Sequence, residues 1–135
     1  MGNLHITLPE YAHTIGVEID SWYGNRPVLA LDYKEELCGN PGMFHGGAVG
    51  ALLEMAAVAT LEAELQTKQS PAPLTPMNST IEFLRMAGEE RTYASADIVK
   101  AGRRLANLSA TLWQGDPKKP VATAIFNIAI GQASG

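Results

Sequence analysis

The sequence predicts an α+β protein in which an antiparallel sheet of about five or six strands wraps around one long buried helix. Three observations point there. Residues 46–61 form an apolar, alanine-rich block that is too long for one strand, so length arbitrates toward a helix over roughly Gly46–Gln66. Two alternating segments precede this block and four follow it, each bounded by turn residues. A helix that is apolar on every face cannot lie on a surface. It needs a sheet around it, or a partner chain over its far side.

The elements follow in order. Within the N-terminal segment 1–14, Leu8-Pro9-Glu10-Tyr11-Ala12 predicts a short helical turn with Pro9 near its start. His5 and His13 lie here without further ligands at matched spacing, so they read as exposed or capping residues and no metal is expected. Gly16–Tyr23 and Pro27–Tyr33 read as a hairpin joined at Tyr23-Gly24-Asn25. Pro27 places the first residues of the second strand at an unpaired or edge position. Lys34-Glu35-Glu36 is a solvated charge run, and Cys38–Gly42 is a loop. After the helix, the three prolines of Ser70–Pro76 predict a stiff linker. Strands are then expected at about Met77–Leu84, Tyr93–Lys100, Leu105–Trp113 and Val121–Ile130. The short joints between them favour antiparallel pairing. The chain reads as one domain over residues 1–135, with a loose tail at 131–135.

Bulk properties narrow the classes. A chain of 135 residues buries about two thirds of its unfolded surface, enough for a sizeable core. A net charge of −4 argues against a general nucleic-acid binder. Cys38 is the single cysteine, which excludes an intrachain disulfide and suits a reducing compartment. The start shows no secretory signal pattern, and the apolar block is too short and too rich in Gly and Ala to span a membrane. The expectation is a cytoplasmic enzyme.

Between Gly46 and Leu61 the only polar side chains are Glu54 and Thr60. A carboxylate in such a run is costly unless paired, hydrogen-bonded or protonated, so Glu54 is expected to be partly buried and functional. His45 stands nine positions earlier. Nine helical steps rotate about 180° and rise about 13 Å, so the two cannot form a dyad on one helix. Either His45 lies in the loop and turns back, or His45 of one chain works with Glu54 of another. The second reading is favoured and implies at least a homodimer.

The run Asn40-Pro41-Gly42 … His45-Gly46-Gly47-Ala48, with an acid nine residues after the histidine, resembles the PaaI-type hotdog-fold acyl-CoA thioesterases. Three weaker features agree: Ile81-Glu82-Phe83-Leu84-Arg85, Lys100-Ala101-Gly102-Arg103, and Val121-Ala122-Thr123-Ala124 … Ile128. The resemblance covers roughly Gly16–Ile130. It implies a hotdog fold, an acyl-CoA substrate, no cofactor beyond the coenzyme A of that substrate, and a homodimer or dimer of dimers.

Thioester hydrolysis needs an oxyanion donor, a carboxylate that attacks or activates water, and a leaving thiolate. Backbone amides at a helix start suit the oxyanion, and Gly46 and Gly47 let a substrate approach closely. The resemblance makes the Gly46 amide the donor; the bland alternative is tight helix–sheet packing. Glu54 is the expected nucleophile or general base, with basicity gained by desolvation. His45 is placed to hydrogen-bond near the thioester sulfur or to hold the loop. In similar proteins an amide stands six residues before the histidine. That position here is Gly39, and Asn40, five before, either reaches the site or serves only the turn. A further polar group is often found at the start of the strand after the helix. Pro76 aligns there most directly and has no hydroxyl, which leaves Thr75 and Asn78 as candidates. Arg85, Arg103 and Arg104 are candidates for the coenzyme A phosphates, against the alternative of solvated strand-end charges. The acyl pocket is expected to be lined by residues such as Met43, Phe44, Leu53 and Val58. A Cys38–His45 nucleophile lacks an independent orienting group.

Two rivals stand. A hotdog hydratase or dehydratase would use a related histidine and acid without releasing CoA. A non-catalytic acyl-CoA-binding regulatory protein would bind the ester and release no thiol.

Overall fold

A computed structural model describes residues 4–131; of the tail expected to be loose, all but Gly131 lies outside them. The elements are α1 (Glu10–Ile15), β1 (Glu18–Tyr23), β2 (Arg26–Leu31), α2 (Gly46–Thr67), β3 (Leu74–Phe83), β4 (Thr92–Ala101), β5 (Leu105–Trp113) and β6 (Ala122–Ile130). A single 3₁₀ turn, Glu35–Leu37, precedes α2. The strands form one six-stranded sheet in the order β1-β2-β4-β5-β6-β3, every pair antiparallel. This is the hotdog arrangement that the sequence pointed to.

Period-two alternation decides which face meets the helix. Ala106, Leu108, Ala110 and Leu112 of β5, with Ala122, Ala124, Phe126 and Ile128 of β6, are buried on one side. The intervening Asn107, Ser109 and Thr111 face outward beside Asn127 and Thr123. The core opposite them is Ala48, Val49, Leu52, Leu53, Ala56, Ala57 and Leu61 of α2. Small residues on both surfaces let the helix seat closely on the sheet, as dense packing requires.

Two boundaries differ from expectation for a physical reason. The linker expected at 70–76 ends early, because Leu74, Thr75 and Pro76 already pair with Ile130, Ala129 and Ile128. Pro76 is tolerated because β3 is an edge strand, where a missing amide need not break an interior ladder. Pro27 meets its expectation in a similar way. The β2–β4 ladder covers only Leu29–Leu31, so Pro27 has no partner on that side. Single-residue register shifts in β3 and β4 extrude Met77 and Val99, which accounts for two of the exposed apolar side chains.

The helix is not buried all round. Gly47, Gly50, Glu54, Val58, Glu62 and Gln66 recur every three or four positions, so they form one stripe outside the core. Glu54 is exposed in the single chain, a correction to the expected burial. The buried polar residue of the run is Thr60, whose hydroxyl has no hydrogen-bond partner among the described residues. Leu53 and Phe44 also change role. Both are core residues, Phe44 packing edge-on to Tyr33 at 5.4 Å between ring centroids. Leu53→Ala is therefore expected to lower unfolding stability by about 2–5 kcal/mol in denaturant titration, as a core cavity does. A loss near zero would return Leu53 to the pocket wall.

Candidate active site

The start of α2 is built by its own N-cap. His45 has extended backbone (φ −76°, ψ 155°), and its Nδ1 accepts from the Ala48 amide at 3.1 Å. Accepting at Nδ1 places the proton of the neutral ring on Nε2. The loop is braced around this residue. The His45 amide donates to the Leu37 carbonyl (2.8 Å), and the Phe44 amide to the Ala87 carbonyl (2.9 Å). A Cβ at Gly47 would lie 3.0 Å from the imidazole, and one at Gly39 would lie 3.1 Å from the His45 Cβ. Both glycines thus stand tight against His45. A side chain at position 39, where the amide is expected six residues before the histidine, would crowd the backbone of His45.

Helix starts leave their first amides without intrahelical acceptors. Here the Ala48 and Val49 amides return to His45, whereas those of Gly46 and Gly47 meet no acceptor among the described residues. Both glycines are exposed. Phe83, at the end of β3, stands beside them, 3.5 Å from a Cβ placed on Gly46. Ile81 would lie 3.2 Å from a Cβ on Gly50. Close helix–sheet packing is therefore a real role for Gly50, while position 46 keeps ordinary contact distance.

Glu54 lies eight residues further along, about 12 Å down the axis. It opens onto a groove of about 300 Å³ lined by Thr7, Leu8, Pro9, Met55, Val58, Ala59, Glu62 and Pro76. Within one chain, then, the free amides and the carboxylate stay apart. A second carboxylate that sequence reasoning missed, Glu62, shares the groove. Burial pushes its carboxyl above the usual range, partly offset by the nearby Thr7 backbone.

The other candidates separate by position. Asn40 is exposed and is the first residue of a turn closed by the Met43 amide on the Asn40 carbonyl (3.1 Å), with Gly42 at φ 83°. That is the pattern of a type II turn. The Asn40 side chain meets only the half-buried Met43, whose sulfur lies 3.9 Å from its Nδ2. Of the strand residues, Pro76 faces the groove. Thr75 pairs on the opposite face of β3, and Asn78 accepts from Asn127 there. Arg85 lies at the α2-start end, between Phe83 and Ala87. Arg103 and Arg104 sit at the β4–β5 turn, with Arg103 beside Leu61, Leu65 and Lys68. Cys38 and Tyr33 share a hydrogen bond of 2.7 Å, and this contact holds the phenol up at about 12. No group of three or more His, Cys, Asp or Glu side chains is placed to hold a metal among the described residues.

Residues 36–129, more than two thirds of the chain, match the family model described as the acyl-CoA thioesterase N-terminal domain. The chain belongs to the acyl-CoA thioesterase family. It is, by family, a thioester hydrolase. No curated protein matches the sequence. Solved structures share its fold. A putative esterase from Mycobacterium tuberculosis superposes with a TM-score of 0.80 at 20% identity, covering 94% of this chain and 100% of that one. The PaaI protein of the E. coli phenylacetic acid degradation operon gives 0.79 at 17%, covering 92% and 86%. A putative thioesterase of Ralstonia eutropha, described as phenylacetic acid degradation-related, gives 0.76 at 24%, covering 92% of each chain.

The capping role of His45 is separable from any contact with substrate. Asparagine is an equally good N-cap. His45→Ala is expected to cost about 0.5–2 kcal/mol in thermal unfolding and His45→Asn only a few tenths. Turnover lost in both variants would identify a substrate contact. Turnover kept by His45→Asn would leave the cap as the whole role.

Proposed function

We propose that the protein hydrolyses an acyl-CoA thioester to the free acid and CoA at a site shared between two chains, with Gly46 of one and Glu54 of the other. The observation that carries this is the pairing of unmet needs on α2. Two free amides stand at its start and an exposed carboxylate stands about 12 Å along it, too far apart to act on one carbonyl. An antiparallel partner helix would bring each amide pair to the other chain's Glu54. Two surfaces support such a partner: the uncovered stripe of α2, and the long edge strand β3 with exposed Met77 and Phe83. The same surfaces suit a dimer or a dimer of dimers.

The thioester oxygen accepts from the Gly46 amide, where the helix dipole favours the charge that develops. The partner's carboxylate either attacks the carbonyl carbon or takes the proton of an attacking water. The C–S bond then breaks and the thiolate leaves; where the carboxylate itself attacks, water then opens the mixed anhydride to the free acid and restores the carboxylate. The Nε2–H of His45, set by the cap, is the donor assigned to that sulfur. Arg85, at the same end of the helix, is assigned to a phosphate of the coenzyme, which guanidinium binds well. The groove beside Glu54 takes the acyl group. The half-exposed, free Cys38 fits a reducing, cytoplasmic setting. No helix among the described residues is long and apolar enough to cross a membrane.

Two substitutions test the roles by free-thiol release. Glu54→Ala is expected to leave a folded oligomer with turnover lower by orders of magnitude. Gly46→Pro removes the amide at the first helical position, where proline is tolerated and the preceding extended residue suits it. It is expected to keep thermal stability while losing about 10²–10³ in turnover. Near-normal turnover in either variant would remove that residue from the mechanism.

A further inference from the structure

The N-terminal segment is tied along the open stripe of α2. The Gln66 side-chain amide grips the His5 backbone at two points, its Oε1 accepting the His5 amide (3.0 Å) and its Nε2 donating to the His5 carbonyl (2.6 Å). One turn back, Thr7 and Glu62 line the same groove. Leu8 and Pro9 then reach the groove beside Val58 and Glu54. The lengths agree: an extended chain from His5 to Pro9 covers about 13 Å, and the helix from Gln66 to Val58 about 12 Å. The segment is thus an extended strap running antiparallel to α2.

Glu62 stands at a junction. Val58 and Glu62 line the groove with Glu54, and both also line a second groove of about 250 Å³ formed with Leu65, Gln66, Pro71, Ala72 and Leu74. The two grooves are apolar in the main and meet at this carboxylate. Its side chain is the charged group common to both linings. An apolar chain extended past it would bury methylenes against a carboxylate, which is unfavourable.

We propose that Glu62, beside the strap, ends the acyl groove and sets the longest acyl group the protein accepts. The inference rests on the assignment of the Glu54 groove to the acyl group. Glu62→Ala joins the two grooves and admits longer chains. Glu62→Gln keeps a polar side chain of the same length at the junction and keeps the limit. Gln66→Ala frees the strap and blurs it.

The test is binding of saturated acyl-CoA esters from acetyl to palmitoyl, measured by calorimetry in the Glu54→Ala background, with thiol release by the parent protein assayed in parallel. Each methylene that enters an apolar groove raises affinity roughly fourfold. Affinity is expected to climb with chain length and then level off. In the Glu62→Ala protein the plateau moves out by several methylenes, while Glu62→Gln superimposes on the parent. Identical profiles for Glu62→Ala and its parent, or binding that never depends on chain length, overturn the proposal. Should Glu62→Ala fail to fold, Gln66→Ala decides: a sharp, unmoved limit there overturns it. Length-limited binding with no thiol release from any ester by the parent would instead uphold the groove's end and sink the hydrolytic reading.

Discussion

The structure depends on the close seat of one face of α2 against the sheet. Alanines on the helix and on β5 and β6 bring the two backbones together, and Gly50 admits Ile81 of the edge strand. That seat consumes the apolar side chains of the helix and leaves a stripe running from Gly47 through Glu54 to Gln66 with nothing from the sheet over it. A 22-residue helix with one satisfied face and one open face is an incomplete object. The N-terminal strap covers part of the open face, and the groove beside Glu54 is what remains.

The same seat gives the helix start its chemistry. Crossing β3 over Gly46 and Gly50 sets Phe83 beside the first turn, and the His45 cap takes the third amide while leaving the first two free. The cap also fixes which nitrogen of the imidazole can donate. One local arrangement therefore starts the helix, fixes the tautomer and leaves two amides open. Arg91, bound to Asp32, Glu18 and Asp20, is a contrast. Its guanidinium is held even more firmly protonated, Asp32 first among the causes, and every charge there is answered within the chain.

What could be read from the sequence was what local periodicity and turn chemistry encode. The helix, the hairpin, and the ends of β5 and β6 follow from spacing of apolar residues, and the sheet around the helix follows from a helix apolar on too many sides. Long-range facts were out of reach. Pro76 reads as linker because nothing local says that the strand holding it is an edge. Glu54 reads as buried and Thr60 as incidental because the helical pattern does not reveal which stripe the sheet will cover. Thr60 and Glu54 lie six positions apart, on different faces, and the sheet took the face with the threonine. Asn40 and Gly39 illustrate the loop: only the position of His45 shows how little space residue 39 has. Glu62 was missed altogether. Its spacing of eight from Glu54 marks the shared stripe, but its importance comes from a segment more than fifty residues away.

The central claim is that no single chain holds a complete site. The direct measurement is complementation between Gly46→Pro and Glu54→Ala chains, each inactive alone, co-expressed with different tags and purified through both. If the site is shared, a mixed dimer pairs an intact Gly46 from one chain with an intact Glu54 from the other, and one of its two sites works. The account predicts recovery of about half the wild-type thiol release per dimer, as two-fold symmetry requires. Mixed dimers as inactive as either parent would contradict it and return both residues to one chain.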